Sequence, residues 1–342
     1  MTDRLPLQCD FSLHDHNTFG IRAKAHAYIQ VINAGMLSEI RRNASLSRLP
    51  RLVLGGGSNI LLSGDFPGLV LHMCLKGIDI LGQDAQATYV RAAAGESWHG
   101  LVCRTLEHGL GGLENLSLIP GSVGAAPIQN IGAYGVELKD CFHDLTAFDF
   151  GTGNIVTLSR DECNFGYRDS VFKHRLAGRA AILDVTFALP RQWRPNLNYA
   201  ELAQELASRG MTDPTPRDIS DAVIAIRTRK LPDPAVIGNA GSFFKNPVVS
   251  AAQRERLLAM HPKLVSYPQP DGSFKLAAGW LIDQCGWKGR RMGHAGVYEK
   301  QALVLVNHGG ASGRELQDLA KAIQADVMAR FGVELEPEPV IV

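Results

Sequence analysis

Two glycine-rich stretches constrain this chain most. Ile119 to Gly135, IPGSVGAAPIQNIGAYG, carries no charged side chain and contains Gly121, Gly124, Gly132 and Gly135. Such a segment offers mostly backbone. Glycine tolerates positive φ and lets the main chain approach a ligand closely, so N–H groups can face an anion such as a pyrophosphate. The same residues also suit a buried, tightly turning loop that binds nothing. An earlier stretch favours the first reading: Leu52 to Leu62 is an apolar strand running into Gly55, Gly56, Gly57, Ser58 and Asn59. It is not the dinucleotide fingerprint, because Ile60 stands where the last glycine of G-x-G-x-x-G is needed, and no G-K-[ST] follows to make a Walker loop.

The totals narrow the class. At 342 residues the chain is long enough for a substantial core and for roughly two or three domains. Lys plus Arg number 35 against 34 for Asp plus Glu, so no net field argues for nucleic acid or an anionic membrane as partner. The six cysteines, Cys9, Cys74, Cys103, Cys141, Cys163 and Cys285, form no C-x-x-C pair. They read as reduced structural thiols. Without zinc spacing or an HExxH motif, no metal site is expected. The opening MTDRLPLQCD has no apolar signal region, and no later apolar run is long enough for a bilayer. A cytoplasmic protein without membrane insertion is the expectation.

Along the chain, residues 27–32 predict a strand, 36–42 a short helix and 51–54 a strand, a β-α-β start ending in the triple glycine. Further strands are predicted at 69–73, 78–81, 87–94, 145–150, 155–158, 181–189 and 303–306. Helices are predicted at 97–108, with Gly109 beyond its end, and at 217–229, opened by Pro216 and stopped by Pro232 and Pro234. Others are predicted at 250–260, 275–284 and 313–331, the last behind the Ser312/Glu315 capping box. Pro190, Pro195, Pro214 and Pro216 mark connections around the segment 196–209, and a domain boundary is expected near Pro214.

Several side chains could carry chemistry. Ser242, in GNAGSFFKNP, lies among small residues but not in a G-x-S-x-G elbow, so acyl transfer is unsupported; a plain turn serine is the alternative. Arg168, in GYRDS, could grip a carboxylate with its planar fork, or pair structurally with Asp161, Glu162 or Asp169. Arg227, Arg229 and Lys230 cluster at a helix end, where cations favour the dipole and where a phosphate could also sit. Glu338 lies between Pro337 and Pro339 in the tail LEPEPVIV.

Together these segments resemble the UDP-N-acetylenolpyruvoylglucosamine reductases, the MurB family of cell-wall precursor synthesis. The resemblance rests on HNTFGI from His16, GGGSN from Gly55, LIPGSVGAAPIQNIGAYG from Leu118, FGYRDSVFK from Phe165, KLPDP from Lys230, GNAGSFFKNP from Gly238, KLAAGWLIDQ from Lys275 and LEPE from Leu335. Tyr199 in LNYAEL, with the intact GYRDS, is similar to the longer, type I branch.

The resemblance implies an α+β chain: a two-part FAD-binding fold of the vanillyl-alcohol-oxidase/p-cresol methylhydroxylase type, residues 1–70 and 71–213, holding FAD between its parts. A C-terminal α+β substrate-binding domain, 214–334, would close over the substrate, and 335–342 would carry the catalytic glutamate. Gly55, Gly56, Gly57, Ser58, Asn59, Pro120, Gly121, Ser122 and Gly124 would line the FAD pyrophosphate, with no histidine in either loop for a covalent flavin link. NADPH would reduce the flavin, and the reduced flavin would then reduce the enolpyruvyl ether of a UDP-sugar at C3. Arg168 matches the cation that stabilises negative charge developing at C2 and the carboxylate, Glu338 the carboxyl group beside it, and Ser242 the proton donor. Tyr134, Tyr199, Arg227, Lys230 and Asn246 would hold the substrate. The chain departs from the family pattern after LEPE, reading Pro339, Val340, Ile341, Val342 where a valine and then an arginine are expected. Rival readings are another FAD oxidoreductase of this fold acting on a sugar or hydroxy acid, and a non-enzymatic nucleotide-binding protein that has kept the fold.

Overall fold

The computed structural model describes residues 5–342; the first four residues of the MTDRLPLQCD opening lie outside them. Contacts divide the chain into two compact units. One gathers the chain up to Phe11, Ala25–Gly57 and Phe66–Arg229; the other gathers Ser12–Lys24, Ser58–Asp65 and Lys230–Val342.

The first unit opens with the expected β-α-β unit. Strands Lys24–Val31, Phe66–Met73 and Arg51–Leu54 run parallel in a four-stranded sheet completed by Gln8–Ser12. The helix Ala34–Arg42 begins where Asn33 Oδ1 accepts from the Met36 N–H. It buries Met36, Leu37 and Ile40 in one cluster with Ile29, Val31, Leu69 and Leu71. A five-stranded antiparallel sheet follows, in the order Ile155–Ser159, Phe142–Asp149, Ala180–Pro190, Ala87–Ala93, Ile78–Gln83. Its central strand serves two cores. Ala181 and Leu183 join the cluster of the parallel sheet, while Val185, Phe187 and Leu189 pack with Trp98 and Leu101 of the helix Trp98–Glu107.

Two features of this unit had no expectation in the sequence. The 119–135 stretch holds a 3-10 helix, Val123–Gln129, with Pro127 inside it, and then a hairpin of Gly132–Ala133 with Val136–Glu137. Neither shows an apolar period of helix or strand that a window could detect. Inside the 196–209 segment lies a helix, Ala200–Ser208, whose Leu202 and Leu206 are buried with Ile219, Ala222, Val223 and Ile226 of the helix Pro216–Lys230. Because that apolar face is satisfied within the first unit, the contacts divide at Arg229/Lys230, one helix beyond the composition change at Pro214.

The second unit is assembled from distant stretches. Its main sheet orders Gly238–Ser242, Val304–Asn307, Ala295–Val297 and Arg291–Met292. The helix Gly313–Phe331 has the expected capping box at Ser312 and Glu315 and ends at Gly332, φ 62°. The Asn17 amide binds the carbonyls of Leu13 and Ile21 and accepts the Ile21 N–H, shaping the HNTFGI turn. That turn docks through Thr18 and Phe19 carbonyls, which accept from Asn239 N and Asn307 Nδ2. A Cβ at Gly238 would come 2.2 Å from Phe19 O, so glycine is required there. The expected helix 275–284 starts later, at Ala278. Residues Phe274–Leu276 form a strand, because Leu276 N and Ala277 N bind the carbonyls of Pro247 and Val265.

All six cysteines are free. Burial pushes the thiols of Cys141 and Cys163 up to about 12, which makes them inert. Among the described residues no helix is long and apolar enough to cross a membrane.

Candidate active site

In the first unit the two glycine stretches meet. A Cβ on Gly56 would lie 2.9 Å from Gly121 Cα, and one on Gly55 would lie 2.2 Å from Ser122 Oγ. At Gly56 the neighbour is backbone, so only glycine permits this approach there. Ser122 Oγ is buried and has no hydrogen-bond partner. Leaving a hydroxyl so costs about 1–3 kcal/mol, and an anion seated in the cradle would accept its proton. Gly57 and Gly121 take positive φ of 63° and 108°, which orients the backbone of both turns. Gly124 has a packing role as well, since its Cβ would meet Ala94 Cβ at 2.5 Å. Exposed Pro120 precedes Gly121 in the turn. Ser58 and Asn59, next after the triple glycine, belong by contacts to the second unit.

The hairpin that follows has Tyr134 and Gly135 at its tip with φ of 49° and 83°. Positive φ at both central residues is the type I′ pattern, usually filled by Asn-Gly. A tyrosine held there is strained. The Asn115 amide supports it, donating to the carbonyls of Tyr134 at 2.9 Å and Asn196 at 3.0 Å. The Tyr134 ring meets Tyr199 edge-on at 5.2 Å, and the charge of Arg227 acts on its hydroxyl. Burial raises the Tyr134 hydroxyl to about 12, so it stays protonated and can donate. Arg227 Nε is buried without a partner. Its neighbour Arg229 instead pairs with Glu205 and Glu201, the structural role its position at a helix end allows.

Arg168 occupies the tight turn closed by the Gly166–Asp169 bridge, again with positive φ, 55°. Its Nη2 donates to Gly132 O at 2.8 Å and its carbonyl accepts Lys173 Nζ. A Cβ on Gly132 would lie 3.1 Å from Arg168 Nη1, so the glycine makes room for the guanidinium. Asp169, one of the carboxylates considered as its partner, holds His174 Nε2.

Within the second unit, Ser242 and Glu338 come from neighbouring backbone. Ser242 ends the strand Gly238–Ser242 just after an irregularity in its pairing with Val304–Asn307, where Gly241 has φ 69° and Asn239 Oδ1 accepts the Gly241 N–H. Such a bulge re-aims the next side chain. Phe243 O, on the following residue, accepts the Glu338 N–H at 2.8 Å, and Lys245 N donates to Glu336 O. Asn59 Nδ2 donates to Glu338 O at 3.3 Å, and Val340–Ile341 pairs in parallel with Ile60–Leu61. This backbone lattice anchors Glu338 without the arginine of the family pattern. Asn246 Oδ1 accepts from Ala278 N at the start of the helix Ala278–Gln284, and Lys230, half-buried, follows Arg229. Of the three catalytic candidates, Arg168 thus belongs to the first unit and Ser242 and Glu338 to the second. Asn115, Trp98 and His99, which hold these loops, escaped the sequence reading. No motif marks them, and only their partners reveal them.

Residues 25–159 match the family described as FAD binding domain, and residues 233–342 match the C-terminal domain of UDP-N-acetylenolpyruvoylglucosamine reductase. A UDP-N-acetylenolpyruvoylglucosamine reductase of Burkholderia orbicola is 57% identical over 98% of this chain and 97% of its own length. The chain belongs to the UDP-N-acetylenolpyruvoylglucosamine reductase family. The crystal structure of the family member from Thermus caldophilus covers 99% of this chain and 98% of its own at a TM-score of 0.68 and 24% identity, which shows a shared fold. The 6-hydroxy-D-nicotine oxidase of Arthrobacter nicotinovorans, at 14% identity, covers 97% of this chain and 87% of its own with a TM-score of 0.50. The α+β fold with an FAD-binding part is therefore the one expected for this family. FAD fits the residues present: the Gly55–Gly56 and Gly121–Ser122 turns and the unpartnered Ser122 hydroxyl form a cradle suited to a pyrophosphate.

Proposed function

We propose that the chain reduces the enolpyruvyl ether of UDP-N-acetylglucosamine-enolpyruvate to UDP-N-acetylmuramate with NADPH, a step of peptidoglycan precursor synthesis. Family membership supports this reading, and the structural observation that carries it is the glycine cradle with its buried, unpartnered Ser122 hydroxyl. When bound, FAD supplies the two-electron relay between NADPH and the substrate double bond.

The protein's own side chains supply the rest. An enol ether is electron-rich and accepts electrons only if the negative charge arising at C2 and on its carboxylate is stabilised. Arg168, always charged and oriented by Gly132 O, grips that carboxylate. Glu338, on its tethered backbone, orders the carboxylate end of the site. Ser242 passes its hydroxyl proton to C2, completing the addition of two electrons and two hydrogens across the double bond; a neutral hydroxyl is a weak acid, so this needs the charge stabilisation just described. Tyr134, Tyr199, Arg227, Lys230 and Asn246 hold the diphosphate and carboxylate.

The test is anaerobic. The yellow protein, bleached by NADPH, should regain its oxidised flavin spectrum when the UDP-enolpyruvyl sugar is added. A bleached spectrum that persists, or oxygen consumption with a simple alcohol in place of NADPH oxidation, would assign the chain to another oxidase chemistry.

A further inference from the structure

One side chain is built against the cradle turn and has no place in the reaction above. His99, in the first turn of the helix Trp98–Glu107, accepts the Leu118 N–H on Nδ1 at 3.0 Å. A backbone N–H can only donate, so Nδ1 carries no proton and the neutral ring bears its proton on Nε2. Cys103 Sγ, one helical turn on and 3.7 Å from Nε2, faces that proton. Leu118 stands at φ 58°, a left-handed conformation disfavoured for a residue with a Cβ. It directly precedes Ile119, Pro120, Gly121 and Ser122. Trp98 holds the same turn from both ends, its Nε1 donating to Leu116 O at 2.9 Å and its backbone N–H to Gly121 O at 3.0 Å. The His99 bond is the middle clasp of the three, and the one that depends on protonation.

We infer that neutral His99 is a positioning residue that holds the Leu118–Ser122 turn in the shape FAD requires. This rests on reading that turn as part of the FAD cradle. The titratable and charged groups facing the ring are Cys103 on its own helix and Arg227 on the helix Pro216–Lys230; the turn 117–122 presents none. Burial first, and Arg227 second, hold the ring below the usual histidine range, so it is an acceptor at neutral pH. Protonation would turn Nδ1 into a donor facing a donor.

The experiment titrates apo-protein with FAD and follows flavin fluorescence from pH 5 to 8. His99→Phe keeps the ring but lacks the acceptor, and should raise the FAD Kd about 10-fold at pH 7.5. His99→Asn places Oδ1 where Nδ1 stood and cannot titrate. It should keep the Kd within about threefold of wild type and stay level where wild-type affinity falls as pH drops below the ordinary histidine pKa of about 6.5. A Phe variant that binds like wild type, or an Asn variant with the wild-type pH slope, would overturn the inference. If the Phe variant does not fold, the Asn and wild-type pH curves decide it. A wild-type chain that takes up no FAD overturns the cradle reading and this inference together, whereas binding that is alike in all three proteins overturns this inference only.

Discussion

A methyl group at residue 56 would press on the Gly121 backbone at 2.9 Å, and backbone cannot swing aside as a flexible side chain does. Gly56→Ala is therefore expected to weaken FAD binding by about tenfold or more, measured as the flavin retained through gel filtration and the Kd of re-addition, with the far-ultraviolet spectrum of the apo-protein unchanged. Flavin retention equal to wild type would place the pyrophosphate elsewhere. Ser242→Ala should leave bleaching by NADPH at its wild-type rate while slowing recolouring by the enolpyruvyl sugar about 100-fold or more, the size of a lost general acid. Equal losses in the two half-reactions, followed by stopped flow, would make Ser242 a structural residue. At this scale the sequence showed residue types and not their partners. The glycine loops were legible because a run of glycines has few other uses. Arg229 and Arg227 looked alike at one helix end, yet Arg229 is spent on Glu205 while Arg227 keeps a buried, unpartnered Nε.

Among the elements, one two-residue pairing bears directly on the site. The Val340–Ile341 strand lies parallel to Ile60–Leu61, with Val340 N donating to Asn59 O. It ties the backbone next to Glu338 to the residues that follow the glycine loop. Val340→Pro removes that donor. The loosened tail should slow substrate-dependent recolouring by up to about 100-fold while flavin content and NADPH bleaching hold, a split visible in the same stopped-flow traces; unchanged recolouring would show that the tail strand does not place Glu338. Elements with a local signal were readable: the helix Gly313–Phe331 carries its own capping box, terminal glycine and apolar stripe. The helix start at Ala278 was not, because the bonds that hold Phe274–Leu276 in a sheet come from Val248–Val249 and Ser266–Pro268.

For the molecule as a whole, the second unit is not a continuous piece of chain. It needs Ser12–Lys24 and Ser58–Asp65 beside Lys230–Val342. Thr18 and Phe19 satisfy Asn239 and Asn307, and Gly313 packs so closely on Leu62 O that a Cβ would have no space. A fragment of residues 230–342 made alone should therefore lack a cooperative thermal transition and show poorly dispersed amide resonances; a sharp transition like that of the full chain would show that the early segments are dispensable. What the sequence alone determined was local or cumulative: the near balance of charge, the alternating sheet and helical stripes, the glycine loops, and a string of motifs spread over the chain that together resemble one family. What the tertiary structure decided was non-local. It set Ser122 Oγ unpartnered beside Gly55, bent Tyr134 and Arg168 into left-handed turns, placed His99 under Leu118, and hung Glu338 on Phe243 and Asn59. Apart from the two local turns, these arrangements depend on hydrogen bonds and close contacts between residues about twenty to several hundred positions apart, beyond the reach of a short sequence window.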